Sequence, residues 1–177
     1  MKDTKEIQKE LSRFAKSVIR QSKQKLGRSN LAKSLKSKVK VSDNSMELTF
    51  LMEDYGRFVD EGVKGKNPSK VSPNAKIRGQ QAPRSKYRFG TGSSRGTMRS
   101  FAKKMSLFAR QKGLTFKNGK TDYDAMGWVV AKNIYYRGLK PTLFFTKPFQ
   151  KEFRKLPDSI IAKYGLDMEK WLNEIKF

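Results

Sequence analysis

Asp54, Asp60, Glu61 and Lys64 are the residues of this chain whose types and closeness could do chemistry. Two or three carboxylates can hold a hard cation such as Mg²⁺, and a nearby lysine can steady a phosphate. That is the equipment of a metal-dependent nuclease. Such an enzyme carries its acids on neighbouring strands with a Glu-x-Lys step. Here the acids fall in a segment with helical character, and Glu61 and Lys64 have the wrong spacing. The competing role is structural: capping of backbone N–H groups and pairing with surrounding Lys and Arg. The sequence favours the structural role.

Other chemistries have little to work with. The chain has no cysteine and no histidine, so it cannot supply disulfides, thiolate nucleophiles, imidazole bases or Cys/His zinc sites. "GTGSSRG", residues 90–96, precedes a helical pattern and could offer backbone N–H groups to a phosphate. It lacks the lysine and hydroxyl in the order of a phosphate-binding loop and reads as a hinge. The expectation is a protein without a cofactor or a metal.

Charge is the dominant compositional feature. Forty Lys and Arg against sixteen acids give +24, which implies a polyanionic neighbour or an acidic protein partner. The imbalance is local, because residues 62–120 contain neither Asp nor Glu while Lys and Arg recur throughout. A solvated mobile loop and a surface facing nucleic acid or an acidic subunit both fit that pattern. No apolar run approaches the length of a membrane span, and "MKDTKEIQKE" has no apolar signal core, so synthesis in the cytoplasm is expected.

The elements that must position these residues follow from periodicity. At 177 residues the expectation is one α+β domain. A helix over 3–26 is predicted from Ile7, Leu11, Phe14, Val18 and Ile19, with Asp3 and Glu6 as a capping box and Gly27 as the stop. A short helix from Ser29 or Asn30 to about Leu35 leads into a β-hairpin. Leu35, Val39 and Val41 line one face of its first strand, and Met46, Leu48, Phe50 and Met52 alternate in the second across the turn "SDNS". "EDYGRFVDEGV" reads as a helical turn with Tyr55, Phe58 and Val59 inward, Asp54 as a possible cap and Gly62 as its end.

Residues 63–95 lose all periodicity and carry three prolines, which predicts an extended basic loop or arm. In it Tyr87 and Phe89 alternate with Arg84, Lys86 and Arg88; they could pack on a partner, stack on bases or form an edge strand. A helix over 97–112 follows, with Met98, Phe101, Met105 and Phe108 on its apolar side, then a short strand and turn at "LTFKNGKTDY". A helix capped by Asp122 runs through Tyr136 to a stop at Gly138. Residues 142–145 of "KPTLFFTKPF" read as a compact strand, with Phe144 and Phe149 closing the sheet against the helices. A helical tail over 148–177, broken near Pro157, ends with Trp171, Leu172 and Ile175 set to dock.

The order of these elements, with Tyr55, Phe58, Val59, Glu61 and Gly62 after the hairpin and Gly138, Pro148 and Phe149 before the last helix, resembles the head–tail joining and tail-completion proteins of tailed bacteriophages. The resemblance covers residues 5–155, on short motifs. The chain has "DEGVKG" where the family usually has Glu before an aromatic and a Gly-Thr pair, and its basic loop is longer. The resemblance implies a non-enzymatic ring subunit of the virion neck or tail, an α+β fold with helices over a small antiparallel sheet. Its implied partners are other copies of itself, neighbouring portal, neck or tail proteins and packaged DNA, with no membrane. Copies would meet through heterologous contacts around a closed ring.

On that basis Tyr55, Phe58, Asp60 and Glu61, with Lys64, Lys66, Tyr87 and Phe89, are the expected oligomer interface. The acids would anchor the scaffold end of an arm held in place by adjoining copies. Lys70, Lys76, Arg78 and Arg84, with Lys86, Arg88 and Arg95, are expected to face DNA or a partner. The alternatives are a nucleic-acid-binding protein without sequence specificity acting free in the cell and, third, the nuclease.

Overall fold

The computed structural model describes residues 4–41, 45–92 and 96–164. The fold is α+β, and the chain divides into two compact units, Met1–Asp60 with Thr142–Phe177, and Glu61–Pro141.

In the first unit α1 spans Thr4–Leu26 and stops at Gly27, whose N–H bonds the Lys23 carbonyl. Ile7, Leu11, Phe14, Ala15 and Val18 form its buried stripe, with Ile19 partly buried against the same core and Ser22 buried one turn further on. Ser29 caps α2, Asn30–Ser34, by accepting the Ala32 N–H at 3.1 Å. The hairpin pairs β1, Lys36–Val41, with β2, Met46–Leu51, antiparallel and in the register Lys36 to Leu51 and Val41 to Met46. Its lysines Lys36, Lys38 and Lys40 point to solvent, as the alternation predicts. After it come α3, Gly56–Glu61, which reaches the boundary between the units, and, late in the chain, α6, Thr146–Phe153, and α7, Asp158–Tyr164.

The core of this unit is aromatic. Phe14 meets Phe149 edge to face at 5.3 Å between ring centres, and Phe50 meets Phe145 the same way at 5.0 Å. Phe149 also stacks on Phe153 at 6.0 Å. Each such ring, fully buried, contributes roughly 1.5–3 kcal/mol from area alone, and the edge-to-face pairs add about 0.5–1.5 kcal/mol.

In the second unit α4, Met98–Gln111, and α5, Tyr123–Arg137, form a helical hairpin. Thr97 and Ser100 make a reciprocal capping box on α4, and Asp122 caps α5 by accepting the N–H groups of Asp124 and Ala125. The buried side of α4 is Ala102, Ser106 and Ala109, not the Met and Phe stripe expected from spacing. Met98, Phe101 and Met105 are half-buried and Phe108 is exposed. The reason is close approach at Gly127: a Cβ there would stand 2.2 Å from Ser106 Oγ and 2.6 Å from the Ala102 carbonyl. Only small residues on α4 allow that distance.

Two further expectations are corrected. Residues 114–120 hold a turn, with the Phe116 N–H on the Lys120 carbonyl, but no strand. Residues 142–145 form no strand either. Their N–H groups go instead to the end of α3, from Thr142 to the Val59 carbonyl and from Leu143 to the Asp60 carbonyl. Leu143 turns to φ +49° there. Pro157 does start the next turn, accepting the Ile160 N–H. Asp3, most of the hairpin turn and the terminal segment with Trp171, Leu172 and Ile175 lie outside the described residues.

Candidate functional site

The segment following the hairpin is built around Gly56 and Asp60, one helical turn apart and both buried. Tyr55 and Phe58, expected inward, are 44% and 41% exposed. Gly56 takes the inner position because a Cβ would press on Met52 Sδ at 2.4 Å and on Leu31 at 3.2 Å. Asp60 takes the other inner position because α6 needs an acceptor. The residue before α6, Phe145, has no side chain that can cap, and the Asp60 carboxylate accepts its N–H at 2.7 Å. The same carboxylate accepts the Thr146 N–H at 3.3 Å and the Thr146 hydroxyl. With 2% of its surface exposed, Asp60 is a cap supplied from elsewhere in the chain.

Its neighbour Glu61 behaves differently. It pairs with Lys86 at 3.3 Å in a partly solvated bridge. Asp54 is exposed beside Glu53, and the capping expected of it is not what starts α3, where the Gly56 N–H goes to the Glu53 carbonyl. Burial first, and then the Glu53 charge, push the Tyr55 hydroxyl above its ordinary range. The acids are thus dispersed into separate tasks. Among the described residues no group of three or more Asp, Glu, His or Cys is placed to hold a metal ion.

The stretch expected to be an arm is laced to its own unit. Lys64, in the short strand Val63–Lys64 (β3), donates its N–H to the Tyr87 carbonyl at 2.8 Å, and its own carbonyl accepts the Phe89 N–H at 2.9 Å. β3 also pairs antiparallel with β4, Gly138–Leu139. Lys66 and Asn67 bond the carbonyls of Tyr135 and Tyr136, and Gln81 bonds that of Arg137. The buried Ser85 hydroxyl donates to the Gly62 carbonyl at 2.7 Å and accepts the Tyr87 N–H. Gly62, at φ +73°, lies so close to the Leu139 carbonyl that a Cβ would be 2.5 Å away. These bonds join residues with no common period, so no pattern announces them.

Of the expected interface, Lys64, Lys66, Tyr87 and Phe89 therefore serve contacts inside the unit. Phe89 stacks on Phe101 at 6.3 Å and meets Tyr135 at 5.7 Å, while Lys66 sits 5.7 Å over the Tyr135 ring. Lys86 lies over Tyr87 at 5.2 Å, and Arg88 donates to the Lys66 carbonyl at 3.4 Å. Lys70, Lys76, Arg78 and Arg84 are exposed, Arg78 with its Nε on the Ala75 carbonyl. Arg95 lies outside the described residues.

Among the exposed large apolar residues, which include Leu51, Ile77, Leu107 and Phe108, Trp128 and Val129 are neighbours on α5, 39% and 43% exposed. The signal was present in "AMGWVVAKNIYY", which is apolar on more than one side and therefore lacks a single stripe. On α1 an open depression of about 550 Å³ is lined by Lys16, Ile19, Arg20, Lys23 and Gln24, with no carboxylate or hydroxyl to catalyse a reaction. No described helix is long and apolar enough to cross a membrane. Neither a family model, nor a curated protein, nor a solved structure matches the chain.

Proposed function

We propose that the chain is a structural subunit of a bacteriophage neck or tail, a head–tail joining or tail-completion protein assembling as a ring near the DNA exit channel. It is made in the host cytoplasm, resides in the virion and catalyses no reaction. The observation that carries this reading is the tie that Asp60 makes between the two segments that hold the motif residues. The segment Tyr55 to Gly62 and the pair Pro148 and Phe149 are far apart in sequence, and Asp60 joins them by capping the helix in which Pro148 and Phe149 sit. Gly62 in turn lies against Leu139, beside Gly138. A resemblance resting on short motifs gains weight when the segments that carry them are tied together.

Electrostatics supports an anionic partner for the second unit. The unit Glu61–Pro141 carries nineteen Lys and Arg against three acids, a balance of +16 out of +24. Such a field repels itself in isolation and is relieved by phosphates or by acidic protein. The candidate metal ligands support a non-catalytic role, since Asp60 is committed to α6 and Glu61 to Lys86.

The second reading, a nucleic-acid-binding protein acting alone, is favoured by one observation: the basic stretch is held by its own unit and does not need neighbours to order it. Mass measurement of the purified chain across salt concentration separates the two. Oligomers of defined mass that persist at high salt are expected. A monomer at every salt concentration, binding only nucleic acid and losing it steeply with salt, would overturn the ring.

A further inference from the structure

α5 has two apolar faces. Met126, Gly127 and Ala131 form the buried one, and Gly127 lies against α4. The other follows from helical spacing: Ala125, Val129, Lys132 and Tyr136 recur at steps of four, three and four, with Trp128 beside them. A helix apolar on both sides is ordinarily covered on both. Here Trp128 and Val129 are open, and the Lys132 ammonium lies 5.9 Å over the Trp128 ring. Two carboxylates, the N-cap Asp122 and Asp124 in the first turn, stand at the N-terminal end of this helix.

The other unit offers a surface of opposite character. Glu53 and Asp54 are exposed together, directly beside the exposed rings of Tyr55 and Phe58. With Arg57, half-buried, between the two rings in sequence, the knuckle carries two carboxylates and one guanidinium, a net negative aromatic surface in a chain that is otherwise strongly basic. The two surfaces are complementary in both respects: apolar with apolar, and adjacent carboxylates with a lysine in a unit at +16. Two copies of either surface facing each other would set like charges together.

We infer that the outer face of α5 receives the Tyr55 knuckle of a second copy, so that the chain associates head to tail. This inference rests on the ring reading and supplies its contact. A heterologous contact of this kind propagates, closing into a ring when the rotation per copy allows. It also moves the expected interface. Tyr55 and Phe58 remain in it, while Trp128, Val129 and Lys132 replace Lys64, Lys66, Tyr87 and Phe89, which are occupied inside their own unit.

The absence of cysteine makes a direct test clean. Asp54→Cys and Lys132→Cys chains are prepared separately and mixed under mild oxidation, and Val129→Glu is measured for assembly. The expected result is a mixed disulfide between the two Cys variants, absent from either alone, and at least a tenfold weaker association of Val129→Glu. Unchanged circular dichroism and melting of Val129→Glu show that the loss is not unfolding. If the unmodified chain forms rings while Val129→Glu assembles equally and no mixed disulfide appears, this contact is wrong and the ring stands. If the unmodified chain never assembles, both are overturned.

Discussion

The Asp60 carboxylate accepts the backbone N–H of Thr146 at 3.3 Å and the Thr146 hydroxyl as well, across eighty-six positions of sequence. With the Phe145 N–H at 2.7 Å it supplies the N-terminal acceptor that α6 lacks locally. Asp60→Ala removes the cap and leaves buried donors unpaired, at a cost of about 2–4 kcal/mol. Asp60→Asn, which retains one acceptor oxygen, should lose about half of that. Glu61→Gln breaks only a partly solvated pair and should cost under about 1 kcal/mol. Urea denaturation midpoints compare the three directly; equal losses at Asp60 and Glu61 would contradict the cap.

Gly127 sets two local effects against each other. Alanine is the better helix former by about 1 kcal/mol, but its Cβ would meet the Ala102 carbonyl at 2.6 Å and Ser106 Oγ at 2.2 Å. Overpacking against backbone costs about 1–3 kcal/mol, so Gly127→Ala should be net destabilising by about 1–2 kcal/mol. A gain in thermal midpoint would show that α4 and α5 are not so tightly apposed.

Ala82 is buried at φ +49°, where a side chain costs about 1–2 kcal/mol. Glycine relieves that cost and adds unfolded-state entropy of about 0.4–1 kcal/mol. Ala82→Gly should therefore be neutral or stabilising by up to about 1 kcal/mol, whereas Ala131→Gly within α5 should lose at least about 1 kcal/mol. Paired melting curves give the comparison, and equal losses at the two positions would refute the backbone argument.

Glu152 titrates in a crowded setting. Burial raises its pKa, but hydrogen bonds from Lys155, Gln21 and Ser17, with the Lys155 charge, together outweigh burial and hold it below the ordinary value. Lys155 Nζ lies 2.7 Å and Gln21 Nε2 2.8 Å from the same carboxylate oxygen. A folded-state pKa below the unfolded one adds stability that is complete above the unfolded value of about 4.3 and disappears as pH falls through the folded value. Stability measured from pH 7 to pH 3 should thus fall further in the unmodified chain than in Glu152→Gln, with the difference confined to pH values below about 5. Parallel curves would show that Glu152 carries no such linkage.

Local signals made parts of both units legible. The stripe on α1, the alternation of the hairpin and the Asp122 cap each act within a few residues, so spacing reveals them. Where a distant partner decides, spacing misleads. Tyr55 and Phe58 have inward periodicity, yet α6 draws Asp60 inside and Gly56 alone fits under Met52. The large side chains of α4 are bypassed because Gly127 sets a helix separation that only Ala102, Ser106 and Ala109 can meet. Residues 142–145 carry strand-forming types, but their N–H groups are taken by the end of α3. The basic stretch has no period because its order comes from backbone bonds to Tyr135, Tyr136 and Arg137.

Direct imaging of the purified chain by electron microscopy at high protein concentration and high salt tests the ring most plainly. Closed rings of uniform diameter, with a central opening wide enough for a DNA duplex, are expected. A field of single small particles at every concentration and salt would contradict it.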